Sequence, residues 1–474
     1  MIDGLKPYPE YNDSGQAWLG TVPTHWPVLP NRAVFVEVKD RGHAAEEMLS
    51  VTITRGIIPQ KALLSDSSKK DSSRLDRSAY KLVQPRDIAY NKMRAWQGAI
   101  AVSDLRGIIS PAYIVMRLRE EQNARYFHHL YRTPQFAKEA ERWSYGITSD
   151  MWSLRPEHFK MIYSARPPRD EQDAIVRFLD HANGRIERAI RAKKKLIALL
   201  NEHKQAIIHR AVTRGLDSSV PLKPSGIPWL GDIPKHWEVI QLRRLIKYGT
   251  TITYGIVQAG PDIEGGIPYI RTSNMKGQVL PRSGYLRTSR EIDSSYRRSK
   301  VEPGDLIVAI RATLGKGLLV PDYLAGANLT QGTARVSPGE RLSSEFLFFA
   351  FNSKYCQESI QMVAKGTTFL EITLEALKRI PLATPSRVEQ TKICEHLTGV
   401  VQPFVAAVTR TEREIDLLRE YRTRLVADVV TGNLDVREAA SHLSATTHQP
   451  ELPEDTNFAN EEGKLEFETS GSIL

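Results

Sequence analysis

The residues best equipped for chemistry in this sequence are long hydrogen-bond donors set in turn-rich stretches. Asn91, Lys92, Arg94 and Trp96 follow one strand-like run, and Arg271, Asn274, Lys276, Arg311, Thr313 and Lys316 fall in a corresponding later region. Thr148, Thr367 and Thr368 lie on two further stretches that match each other, YGITSDMWSL (145–154) and KGTTFLEITL (365–374). Arginine and lysine suit guanine edges and phosphates and asparagine suits adenine, so the set fits a nucleic-acid groove. Taken singly, each of these side chains is equally well read as solvated surface charge; grouping on matched turns is what favours binding.

Familiar catalytic patterns are missing. An amino-methyltransferase needs an Asn- or Asp-Pro-Pro-aromatic loop, whereas the sole Pro-Pro pair, Pro167-Pro168, is flanked by arginines. No glycine-rich strand-loop-helix suits S-adenosylmethionine or a dinucleotide, and Gly315-Lys316 lacks the upstream glycine of a phosphate cradle. Glu-x-Lys triplets at Glu37, Glu202 and Glu462 have no suitably spaced aspartate. The repeated His25 and His236 have no companions at metal-ligand spacing. The expectation is a chain that binds rather than catalyses, with no metal site.

The elements that must position the donors are written twice. Residues 167–217 and 385–435 align without a gap and share fifteen of 51 positions, among them Glu171-Gln172 with Glu389-Gln390 and Leu199-Leu200 with Leu417-Leu418. Each copy reads as one long helix. In the first, Ile175, Leu179, Ala182, Ile186, Ala189, Lys193, Leu196, Leu200, His203 and Ile207 form a coiled-coil seam; the second has Ile393, Leu397, Val400, Phe404, Ala407, Thr411, Glu414, Leu418, Tyr421 and Leu425. Both carry a polar layer at Lys193 and Thr411. Ser386 is the expected N-cap of the second helix with Glu389 reaching back, Asp170 its counterpart in the first, and Gly215 and Asn433 the left-handed ends. Gly399 and Pro403 predict a bend, or a helix straight only from about Phe404.

A shorter repeat heads each half: SGQAWLGTVPTHWPV (14–28) and SGIPWLGDIPKHWEV (225–239) share nine of fifteen residues. Two tryptophans separated by Gly and Pro turns make a compact loop, either a docking or base-stacking surface or a clasp that pins the start of a domain. Between clasp and helix, residues 29–166 and 240–384 show short β-branched runs broken by Gly, Pro, Ser and Asp, the pattern of small twisted sheets with some helices. VQPRDIAYNKMRAWQG (83–98) there parallels VEPGDLIVAIRATLG (301–315).

Net charge is +10, and the stretch 436–474 carries eight acidic residues against Arg437 and Lys464, so residues 1–435 hold +16. That balance favours a polyanionic partner. The acidic stretch is expected to be disordered after a last helical turn or two. Two cysteines, Cys356 and Cys394, offer neither a disulfide framework nor a metal quartet, no apolar run reaches bilayer length and no signal segment is visible, so a cytoplasmic location is expected.

Together, the paired clasp, GDLIVAIRATLGK (304–316), GTTFLEITLEALKRIPLATPSRVEQ (366–390) and the Val-Thr-Gly ending resemble the specificity subunit of a Type I restriction-modification system over residues ~8–435. The first half departs from the pattern, with MRAWQG and GITSDMW in place of RATLGK and GTTFLEI. The resemblance implies an α+β fold with a pseudo-twofold internal repeat: two globular α/β target-recognition domains separated by two long helices pairing as an antiparallel coiled coil. The segments would be residues 1–166 and 218–384 for the recognition domains, 167–217 and 385–435 for the helices, and 436–474 for the tail.

It further implies a non-catalytic subunit that binds a bipartite, asymmetric double-stranded DNA target, one half per domain. Two adenine-methyltransferase subunits and nuclease/translocase subunits would dock on it, and S-adenosylmethionine and ATP would bind only to those partners. Glu171, Gln172, Leu179, Ile186, Leu196, Leu200, Glu389, Gln390, Leu397, Phe404, Leu418 and Leu425 would serve helix pairing and docking. A helix of ~45 residues is about 68 Å long, enough to span half-sites spaced at about 34–36 Å per DNA turn. The competing readings are a free-standing DNA-binding regulator or bridging protein, and a nuclease with an unfamiliar motif.

Overall fold

The computed structural model describes residues 5–65, 77–146, 151–364, 366 and 370–443. The chain forms two compact units, Met1–Ala192 with Glu414–Leu474, and Lys193–Arg413. Each unit therefore takes in part of both long helices, which run Arg169–Arg214 and Arg387–Val430.

Each unit is built on an antiparallel sheet of four strands. In the first, β1 (Phe35–Val38), β2 (Ile88–Asn91), β3 (Ile100–Val102) and β4 (Tyr113–Leu118) lie in the order β1-β4-β2-β3. In the second, β5 (Thr253–Tyr254), β6 (Leu306–Ala309), β7 (Gly317–Leu319) and β8 (Thr333–Val336) lie in the corresponding order β5-β8-β6-β7. The central strands are buried on both faces, and strand alternation divides them between two cores. Leu306 and Val308 join the helix-side core with Phe346, Phe351 and Tyr355, while Ile307 and Ala309 join a second cluster with Ile270 and Leu329. Ile88 and Tyr90 do the same in the first unit, with Ala89 on the other face.

The turn leading into each central strand is also duplicated. Asp87 accepts from the Gln84 backbone N–H and Asp305 from that of Glu302, both at 2.9 Å. The residue before each aspartate is left-handed, Arg86 at φ 76° and Gly304 at φ 84°. Arg86 thus holds a conformation that its counterpart reaches as glycine.

The clasps pin domains rather than offer their rings. Tyr11–Asp13 pairs with Thr21–Pro23, and Leu222–Pro224 with Asp232–Pro234. Trp18 and Trp26 are buried in one core with Leu425, Val429 and Val430 at the end of the second long helix. Trp237 is buried with Ile208, Ala211 and Val212 at the end of the first. In the first unit the closing residue joins the chain's beginning, the Asp435 N–H donating to the Lys6 carbonyl at 2.8 Å.

The duplicated Glu-Gln pair ties the start of each long helix to its own unit. Glu171 accepts from the Tyr8 hydroxyl and lies 2.8 Å from His25, while Glu389 lies 3.0 Å from His236. Gln172 accepts from the Asn123 backbone N–H at 2.8 Å, and Gln390 likewise from Ser343, each at the N-cap of a domain helix. Gln172 and Gln390 are wholly buried and Glu171 nearly so. These residues fasten each long helix to its own unit, Glu389 remaining partly exposed, and the repeated histidines are the partners of the two glutamates.

Several details differ from expectation. Ser386 does cap the second helix, accepting from the Glu389 N–H at 3.3 Å, but the Glu389 carboxylate goes to His236 instead of reaching back. Asp170 lies inside the first turn of a helix that begins at Arg169. The left-handed end is Gly432 at φ 85°, not Asn433, because a Cβ at 432 would stand 2.3 Å from Cδ of Pro23. The second helix runs unbroken through Pro403. The proline ring would press on the carbonyl four residues back; that residue is Gly399, and both positions are exposed, so the carbonyl that loses its helical donor is not buried.

Within each unit the two long helices are antiparallel neighbours. Glu187 pairs with Arg422 in the first, and His203 meets Phe404 edge-on, centroids 5.3 Å apart, in the second. Leu179, Ile186, Leu397 and Leu425 are buried, and Leu200, Phe404 and Leu418 partly so. Leu196, expected in the seam, is 46% exposed. A helix at 3.6 residues per turn drifts about 20° per heptad from a 3.5-residue seam, so Ile190 and Ile208 are buried where Ala189 and Ile207 were expected to be the deeper residues. At the polar layer Thr411 is buried and satisfies its hydroxyl on the Ala407 carbonyl at 2.7 Å; Lys193 is half-buried. After the second helix, Arg437–Ser441 adds one short helix, and the stretch expected to be disordered lies outside the described residues from 444 onward.

Candidate nucleic-acid interface

In the second unit the expected donors converge at one end of the sheet. The hairpin loop 310–316 joins β6 to β7, and its neighbours are held by backbone hydrogen bonds: Ile310 N–H to the Gly332 carbonyl at 3.0 Å, Ile372 N–H to the Ile310 carbonyl at 3.1 Å, and Gln331 N–H to the Ile256 carbonyl at 3.0 Å. The turn 271–276 joins them, since Lys316 Nζ donates to the Lys276 carbonyl at 2.7 Å. Arg271, Asn274, Lys276, Arg311, Thr313 and Lys316 therefore share one rim.

Their roles on that rim differ. Arg311 and Thr313 are exposed, and so is the Lys276 side chain. Lys316 is partly buried, which pulls its ammonium below the usual lysine range, and its bond to Lys276 makes it a fastening between loops. Asn274 accepts from the Arg271 N–H at 2.9 Å and so shapes its own turn. Arg271 is half-buried, and its Nε is buried without a hydrogen-bond partner. Arg311 Nε donates to Glu371 Oε2 at 2.8 Å. Glu371 was not anticipated; the sequence places it in the stretch after Thr368, but nothing in its spacing signals a partner sixty residues away.

The first unit presents the same end of the sheet with other fittings. The loop 92–98 joins β2 to β3, and the Leu154 N–H donates to the Lys92 carbonyl at 2.8 Å, matching Ile372 on Ile310. This pairs Leu154 with Ile372, two residues away from the Leu154–Leu374 match of the sequence stretches, because the helices that follow are capped at Arg155 and Thr373. Asn91 Oδ1 accepts from the Met93 N–H at 3.0 Å, and Trp96 Nε1 donates to the Met93 carbonyl at 3.0 Å. Trp96 packs edge-on against Trp152, centroids 5.6 Å apart, a contact the sequence reading missed. Asn91 and Trp96 thus hold the loop, while Lys92 and Arg94 remain partly exposed on it. Thr148, Thr367 and Thr368 lie outside the described residues.

Among the described residues no group of three His, Cys, Asp or Glu is placed to hold a metal ion, and no helix is long and apolar enough to cross a membrane. Both cysteines are free and buried, and burial pushes the Cys394 thiol up to about 11.

Comparison with known proteins agrees with this geometry. Residues 234–416 match the family model of the Type I restriction modification DNA specificity domain. The Type I restriction enzyme EcoBI specificity subunit of Escherichia coli is 25% identical over 302 residues, covering 63% of this chain and 62% of the relative. The Type I restriction enzyme MjaVIII specificity subunit of Methanocaldococcus jannaschii is 22% identical over 286 residues, 59% of this chain and 64% of that one. The aligned stretches thus span just under two thirds of these relatives. Among solved structures, a chain from work on complex assembly and conformational transition of the type I R-M system matches with a TM-score of 0.61 at 16% identity, covering 87% of this chain and 99% of that chain, and shares the fold. By its specificity domain, its relatives and its duplicated architecture, this chain is similar to the specificity subunits of Type I restriction-modification systems, and residues 234–416 carry their DNA specificity domain.

Proposed function

We propose that this chain is the sequence-reading subunit of a Type I restriction-modification complex, and that it recognises a split, asymmetric target in double-stranded DNA. Each unit reads one half with the loops at the same end of its sheet: residues 92–98 and their neighbours in the first, 310–316 with 271–276 in the second. The observation that carries this reading is a single frame built twice with different loop chemistry, on a body of net charge +16 over residues 1–435. Equal frames suit equivalent docking on DNA, and unequal loops suit unequal half-sequences.

The chain itself contributes no catalytic centre in this reading. Adenine-methyltransferase subunits supply methyl transfer, and nuclease/translocase subunits supply cleavage; S-adenosylmethionine and ATP bind on those partners. The exposed Leu196, Leu199 and Leu417 on the long helices are apolar surface available for such docking. Co-expression with methyltransferase subunits, followed by sequencing of modified DNA, tests the proposal. Adenine methylation confined to one split sequence is expected from the complex and none from the purified chain alone. Methylation scattered over unrelated sequences, or activity of the lone chain, contradicts it.

A further inference from the structure

We propose that Arg311 and Glu371 act together as the reader of one G·C base pair in the half-site taken by the second unit; this rests on the DNA-recognition reading above. The two residues come from separate loops joined by backbone. Arg311 and Glu371 form an antiparallel bridge, and the next residues are held by the 3.1 Å bond from Ile372 N–H to the Ile310 carbonyl. Ala312 follows at φ 61°, a left-handed conformation that among the described non-glycine residues occurs elsewhere only at Arg86. This turn carries Arg311 at the hairpin tip with its side chain 50% exposed, beside a Glu371 side chain 46% exposed.

The contact between them is selective. Arg311 uses Nε toward Glu371 Oε2 at 2.8 Å, and among the described residues Nη1, Nη2 and Glu371 Oε1 engage no other partner. A guanidinium fork with both terminal nitrogens available matches guanine O6 and N7, and a carboxylate oxygen accepts from cytosine N4. Donor fork and acceptor side by side are the complement of the major-groove edge of a G·C pair. An exposed ion pair contributes little to stability, so the joined backbone and the left-handed turn are better explained by aiming the pair than by holding the fold. The structurally corresponding residues in the first unit, Met93 and Ser153, carry no charge.

The experiment uses the full chain in complex with its methyltransferase subunits, with modified DNA sequenced for wild type, Arg311→Gln and Glu371→Gln. Wild type is expected to yield one split motif. Both variants are expected to relax the same single G·C position in one half, with methylation of the original motif falling about tenfold, as for loss of a good base contact. Specificity kept in the other half shows that each variant is folded. Where a variant methylates too weakly to give a motif, gel-shift titration of that complex replaces it, against duplexes in which each G·C pair of the half is changed to A·T. Lost discrimination at one pair supports the proposal. An unchanged motif, relaxation at different positions in the two variants, relaxation in the half set by residues 29–166, or discrimination retained at every pair overturns it. A wild-type complex without a split motif removes the functional reading itself, a distinct result.

Discussion

The hairpin loops 92–98 and 310–316 occupy the same place in their sheets and are secured by unlike chemistry. In the first unit the joint is aromatic, Trp96 against Trp152, with Asn91 turned inward to shape the bend. In the second it is ionic, Arg311 to Glu371, with Lys316 drawn onto the Lys276 carbonyl. Beneath the loops the fastenings are nearly identical: a Gln at the start of each long helix, a His–Glu contact to each clasp, an Asp-capped turn before each central strand. The difference teaches where such a molecule can vary. Frame residues satisfy buried backbone groups in the same way in both units, whereas the rim joins its loops through different side chains and so presents different chemistry at the same place.

If the frames are equivalent, Gln172→Ala and Gln390→Ala should damage their units alike. Each removes a buried side chain that accepts one backbone N–H and donates to carbonyls, so a loss of about 3 kcal/mol is expected for either. Urea unfolding should give similar midpoint shifts, and a large loss in one variant alone would break the equivalence. The helix ends should behave less equally. Gly432→Ala meets Cδ of Pro23 at 2.3 Å, whereas Gly215→Ala meets only the flexible Glu389 Oε1 at 3.3 Å and the Trp237 ring at 3.4 Å. Both carry the left-handed penalty of about 1 kcal/mol, and the first should cost about 2 kcal/mol or more in the same melts.

At the rim, Trp152→Ala should destabilise by about 2 kcal/mol through loss of the aromatic contact. Leu370→Ala, at the corresponding position and 52% exposed, should change stability by no more than about 0.5 kcal/mol. The smallest effect concerns the ends of the repeats. For Asp435, burial pushes the carboxyl up, but the side-chain and backbone hydrogen bonds from Arg437 outweigh it and hold the group below the usual aspartate range. Its stabilisation is therefore present above the unfolded-state pKa of about 3.9 and lost as pH falls through the lower folded value. Asp435→Asn should flatten the acid limb of the melting profile of the first unit.

The frame was largely legible in the sequence because repetition and period report backbone geometry. The gapless 51-residue repeat, the clasp tryptophans and the Pro-x-Asp turns each correspond to an observed element. What escaped was contact across long separations. Glu371 meets Arg311, Trp152 meets Trp96 and His25 meets Glu171 through folding, and no local pattern encodes those distances. The asparagines expected to face a base also shape their own turns through Oδ1, since a short amide one or two residues from a bend finds a backbone partner.

The central claim is that the two units read separate halves of one target. Replacing residues 29–166 by the same segment of a relative with a different motif, then sequencing DNA modified by the complex, tests it most directly. One half of the methylated motif should change to that of the donor while the other half stays as in wild type. A motif unchanged in both halves, or altered in both, would contradict the account.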